Sequence, residues 1–249
     1  MKPILFICFI FFTLSPFLKT AAQNTVFLSE GKIEFEKKMN LYSQMDEENS
    51  WDELRKKVQP KFKTSYFDLV FKNKKTLYMP GKENPENNKI MWDQPIAEDN
   101  VVYSELDSSR SISQKKIFED LFLIADSMRQ IKWKITDETR NIVGFQCRRA
   151  NAIIMDSVYV VAFYTDEIVT NGGPESFSGL PGMILGVSLP HQHVTWFATK
   201  VSAKEVGVQE LKVPVKGKKA NYKTLMVLLN DRMKEWGKYK QRYLEAVML

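Results

Sequence analysis

Apolar and polar residues alternate along most of this chain, and the period changes only near its end. Ile33 and Phe35 bracket Glu34, and Met39 and Leu41 keep the phase, so residues 26–42 read as a half-buried strand. The acidic run Asp46-Glu47-Glu48-Asn49 then leads to Ser50, which would cap a short helix with Glu53 three residues on. Pro60 would stop that helix. Residues 66–71 and 76–79 read as a hairpin turning at Asn73-Lys74. A polar loop follows over 80–88, a further apolar piece starts at Ile90-Met91-Trp92, and a strand candidate covers Val101-Val102-Tyr103. Residues 113–124 look extended in one piece, with a turn at Asp126-Ser127. Ile131, Trp133 and Ile135 alternate with lysines up to the turn-like Asp137-Glu138-Thr139. Strands are expected at 142–152, 158–164, 183–187, 194–201 and 206–213; VYVVAFY, at 158–164, is the most β-prone and should be central.

The tail switches period. Tyr222, Leu225, Met226, Leu229, Met233, Trp236 and Tyr243 share one helical face, so residues 219–247 are expected to be largely helical, weakened at Gly237. The sum is about ten to twelve strands and one terminal helix. That predicts a mainly β (α+β) fold, a curved antiparallel sheet or half-barrel meander covered by a C-terminal amphipathic helix.

Composition narrows the class. With 249 residues, 44% of them hydrophobic, the chain can bury a large core, and residues 23–249 are expected to form a single β-rich domain. Residues 1–22 look like a secretory signal peptide: Lys2, an apolar run over 4–14, then Thr20-Ala21-Ala22 at the cut. That places the protein outside the cytoplasm, in the periplasm or at the outer membrane, soluble or peripherally attached to a membrane. Without Lys2 and Lys19 the 36 basic residues become 34 against 30 acidic, a balance of +4 spread along the chain. So mild a charge does not call for nucleic acid. Lys212 to Lys223 is basic but reads as a solvated linker. Cys8 leaves with the leader, so Cys147 is alone and no intramolecular disulfide is expected; a buried strand thiol is the simpler reading than a nucleophile.

The densest turn chemistry is residues 172–186, GGPESFSGLPGMILG, which holds five of the 11 glycines. It lacks the Lys-Ser/Thr of a phosphate loop and the G-x-S-x-G of a nucleophile elbow. Gly173, Pro174, Gly179, Leu180, Pro181 and Gly182 are therefore expected to form a rigid corner of the sheet, or to present a rim to a ligand or partner. His191 and His193 are the only histidines; in a strand they would share a face and could hold a divalent metal with a third donor such as Asp166, Glu167 or Glu175. No other cofactor is expected, and no acid/base pair stands out.

Gly179-Leu180-Pro181-Gly182-Met183-Ile184 resembles the hexapeptide that names the GLPGLI family, with Met183 in place of Leu. The segments 133–139 (WKITDET), 142–150 (IVGFQCRRA) and 162–168 (AFYTDEI, Phe163 in a Trp position), with Gly173-Pro174, resemble the same family in the same order, over roughly residues 120–200. The family is one of exported proteins from Gram-negative bacteria, so the resemblance implies export and brings no reaction with it. Together these readings point to a non-enzymatic binding protein of the envelope, its concave face taking an apolar ligand or an envelope protein. The alternative is a metal-binding envelope protein built on His191 and His193.

Overall fold

The computed structural model describes residues 27–45, 49–89 and 98–249. The leader at 1–22, the acidic residues 46–48 and the apolar piece at 90–92 lie outside them.

Twelve strands form one sheet among the described residues. In chain order they are β1 (Glu30–Asn40), β2 (Phe62–Lys72), β3 (Lys75–Pro80), β4 (Val101–Glu105), β5 (Arg110–Ile117), β6 (Asp120–Ser127), β7 (Lys134–Ile142), β8 (Phe145–Ile154), β9 (Val158–Thr165), β10 (Met183–Leu189), β11 (Val194–Ala203) and β12 (Lys218–Ala220). The helices are α1 (Ser50–Val58), α2 (Tyr222–Arg232) and α3 (Lys238–Met248), and none is long and apolar enough to cross a membrane.

The strand order is β12-β6-β5-β4-β3-β2-β1-β11-β10-β9-β8-β7. Two antiparallel meanders, β1 to β6 and β7 to β11, are joined where β1 pairs with β11. Only β12 runs parallel to its neighbour, β6. The sheet is mostly antiparallel and open, with helices at its C-terminal end, as the alternation leads one to expect.

The sheet is strongly curled. Three strands separate β1 from β5, which in a flat sheet is about 19 Å at the usual spacing. Yet Lys115 of β5 and Gln192 of the β10–β11 turn, which lies beyond β1 in the sheet, are bonded by residues only two apart in α3. α3 closes the same end: Val247 O accepts a hydrogen bond from Lys115 Nζ at 2.9 Å, and Glu245 accepts one from Gln192, in the β10–β11 turn, at 3.0 Å. Leu225, Leu229, Met233, Leu244 and Val247 pack on Ile117, Phe122 and Ile124 of β5 and β6. The terminal apolar stripe is thus a cover for the sheet, as its period suggests. It is two helices and not one, because the backbone breaks at Gly237, where φ is +53°.

Other differences have local causes. Asn49, not Ser50, caps α1, its side chain accepting from Trp51 N. The single extended piece at 113–124 is a hairpin, turned at Phe118 with φ +54°. Asp137-Glu138-Thr139 is part of β7, an edge strand with a register shift between Ile135 and Thr139 that leaves polar side chains in solvent. No strand forms at 206–213; Val208–Leu211 is one turn of 3-10 helix. Part of the basic linker at 216–219 instead pairs as β12.

Candidate functional site

The Gly/Pro stretch joins β9 to β10, which are neighbours, so it reorders nothing in the sheet. It folds back into the curl instead of forming a corner. Phe177 and Leu180 are buried in the main core, and Phe177 meets Trp196 edge-on at 6.1 Å. Ile184 N donates to Gly172 O at 2.8 Å, Phe177 N to Pro174 O at 3.1 Å, and the Trp133 indole to Ser178 O at 2.8 Å. Of the six loop residues singled out in sequence, Gly179 and Pro181 are exposed while Gly173, Pro174, Leu180 and Gly182 are buried. Gly182 is required by close approach: with φ at +145°, an added Cβ would lie 2.0 Å from Thr165 O.

The loop carries one charge into the interior. Glu175 sits in the tight turn from Pro174 to Phe177 with φ +50°, an unusual conformation for a residue with a side chain. Its side chain points inward and is 3% exposed. Asn100 Nδ2 donates to Oε2 at 2.9 Å, and Oε1 has no hydrogen-bond partner among the described residues.

Around Glu175 the inner face is polar. Lys37, Lys63 and Lys115 are 4%, 5% and 1% exposed, which lysines rarely are. Lys63 pairs with Glu98 at 2.7 Å. The Lys37 ammonium lies 5.2 Å from the Trp196 ring centroid and 5.8 Å from that of Phe67. Burial pulls the Lys37 pKa down; the Glu175 and Glu98 carboxylates oppose this, and the Lys63 and Lys115 charges add to it. Tyr78 stacks on Phe67 at 4.9 Å between centroids. Its phenol is pushed well above the ordinary tyrosine value by burial and then by the Glu175 charge, with the Trp196 indole working against them. That indole faces the phenol, but among the described residues neither Tyr78 Oη nor Trp196 Nε1 makes a hydrogen bond of good geometry, nor do Ser113 Oγ and Asn100 Oδ1.

The inner face thus carries three ammoniums, two carboxylates and, among the described residues, three donors and two acceptors without a hydrogen bond, one of the acceptors on Glu175 itself. Chemically, the set offers both donors and acceptors of hydrogen bonds.

The other candidates lie elsewhere. His191 and His193 are in the β10–β11 turn, both exposed, His193 with φ +53°, so they do not share a strand face. Among the described residues no group of three or more His, Cys, Asp or Glu could hold a metal ion. His193 lines an open groove of about 440 Å³ with Lys38, Asn40, Phe62 and Thr195. Cys147 is buried in β8, and burial, with Glu167 nearby, pushes its thiol up to about 12. Sequence reasoning missed the lysines. Their signal is phase: Lys37 continues Ile33-Phe35, and Lys63 precedes Phe67 and Leu69 on the inward side of β2.

Comparison with known proteins adds a family-model match over a short segment and a fold likeness. A family model described as "Protein of unknown function (Porph_ging)" matches residues 153–186, from the end of β8 through β9 and the loop into β10. The matched segment contains Glu175. No curated protein sequence matches the chain. Two solved structures of PNGF-II, in the P21 and C2 space groups, superpose over 80% of the chain with TM-scores of 0.52, at 18% and 16% identity. The chain spans about a third of their length, 33% and 32%, and at that identity the likeness is one of fold.

Proposed function

We propose that this is an exported, non-enzymatic binding protein of the cell envelope, periplasmic or held at the outer membrane, belonging with the GLPGLI proteins. The family match over 153–186 and the hexapeptide at 179–184 support the membership. The observation that carries the binding reading is the half-satisfied polar cluster inside the curl. A buried donor or acceptor without a partner costs about 1–3 kcal/mol. Glu175 Oε1 and four further such atoms on the inner face, without partners among the described residues, are a standing cost that a bound polar molecule would offset. The interior is filled by Phe177, Leu180, Trp196 and other apolar side chains, so a compact polar ligand fits this reading better than a long apolar one.

The test is native mass spectrometry of untagged protein purified from its own envelope. The wild type should carry a small non-covalent adduct, and a Glu175→Gln variant with unchanged circular dichroism should lose it. A wild type that carries none, or a variant that keeps it, overturns the proposal.

A further inference from the structure

α1 is turned inside out. Trp51, Leu54 and Val58 fall at i, i+3 and i+7, one stripe of a helix, and such a stripe normally faces the core. Here they are 67%, 50% and 61% exposed. The face turned to the protein is polar. Asp52 and Gln59 are buried, and Tyr42 Oη donates to Lys56 O at 2.5 Å and Gln59 O at 3.1 Å. These bonds, with the Asn49 cap, hold the helix in this orientation. Two residues past Pro60, at the start of β2, Phe62 is exposed as well and has Lys38 and Lys61 over its ring at 4.9 and 5.6 Å. At 100° per residue, Arg55 and Lys57 border the stripe on its two sides. Arg55 is engaged by Asp52 at 3.1 Å, and Lys57 is exposed.

We infer that α1 and Phe62 form a membrane-docking surface for an anionic phospholipid bilayer. Trp51, Leu54, Val58 and Phe62 enter the boundary between headgroups and acyl chains, and Lys38, Lys57 and Lys61 meet lipid phosphates. Charge selects the occupant. The rim carries lysines, which suit a phosphate surface, and a Trp at the end of a short amphipathic helix is a usual interfacial anchor. The terminal helices do not compete for this role, because their stripe is spent on β5 and β6. The inference is independent of the polar cluster.

The test is co-sedimentation of the purified protein with vesicles of phosphatidylcholine, with and without phosphatidylglycerol. Binding is expected only with the anionic lipid, and it should weaken with salt. Trp51→Ser/Leu54→Ser/Val58→Ser should lower partitioning about ten-fold or more with an unchanged urea midpoint, because the three side chains are exposed in the free protein. Lys57→Glu/Lys61→Glu should remove the salt-sensitive part. A wild type that ignores anionic vesicles overturns the inference. So does a triple variant that binds as the wild type does. A wild-type dimer that the triple variant converts to monomer would assign the stripe to a second copy and overturn it as well.

Discussion

Two glycines three residues apart in the hexapeptide should respond very differently to the same methyl group. Gly179 has φ +90°, and an added Cβ would meet only the Trp133 ring, at 3.7 and 3.9 Å, which is ordinary contact. Gly179→Ala therefore carries backbone strain alone, about 1–2 kcal/mol. Gly182 has φ +145°, and its Cβ would lie 2.0 Å from Thr165 O, 2.7 Å from Thr165 C and 2.9 Å from Asp166 Cα. All three are backbone atoms, and Thr165 is the β9 partner of Met183. No rotamer relieves that overlap, so β9 and β10 must part at this point. Strain of about 1–3 kcal/mol adds to an overlap cost of similar size, for a total of about 4 kcal/mol. Urea unfolding followed by far-ultraviolet circular dichroism should place Gly182→Ala about 2–3 kcal/mol below Gly179→Ala at similar m-values. Equal losses, or a larger loss at Gly179, would refute the claim that close approach at Gly182 pins the loop to the sheet.

Tyr78→Phe removes a buried hydroxyl that makes no well-formed hydrogen bond among the described residues, so the fold should gain about 1 kcal/mol in urea midpoint analysis while the adduct retained by the wild type weakens. Trp133→Phe deletes the 2.8 Å bond to Ser178 O and should cost about 1 kcal/mol in the same assay. The Cys147 thiol should resist labelling at pH 8 until denaturant is added, as thiol titration will show. Burial pushes the thiol up to about 12, above the ordinary cysteine range, so the native state keeps a proton that the unfolded chain releases. Stability should then fall as pH rises from about 9 towards 12, and comparison with Cys147→Ala should isolate that slope.

Local signals were legible where they agree with one another. The β2–β3 hairpin turns at Asn73 and Lys74, both with positive φ, in the place the sequence marks. The run at 158–164 is a buried inner strand, β9, and the tail stripe packs on the sheet. Turns without turn residues were not legible. Phe118 is aromatic and gives no sign of the β5–β6 reversal. Polar residues on the edge strand β7 imitate a loop, because an edge needs no second partner. The loop at 172–186 was found by composition, but its inward path was not, since that depends on the curl of strands far apart in sequence. The cluster around Glu175 was hidden for the same reason, and because lysine ordinarily marks the surface. One clue was available: Lys37 and Lys63 stand in phase with the apolar face of their strands.

The pairing of β1 with β11 has a consequence for the order in which the molecule can be built. β1 is synthesised well before its partner β11, with more than 150 residues between them. One edge of β1 is satisfied early by β2, while the other, Gly31 to Met39, must wait for Val194 to Ala203. Closing so long a loop is slow, and an open edge in the meantime can recruit any extended chain nearby. The outward charges Glu34 and Glu36 guard that edge while it waits. Substitutions that neutralise them should do little to the finished protein and lower the yield of correctly assembled chains.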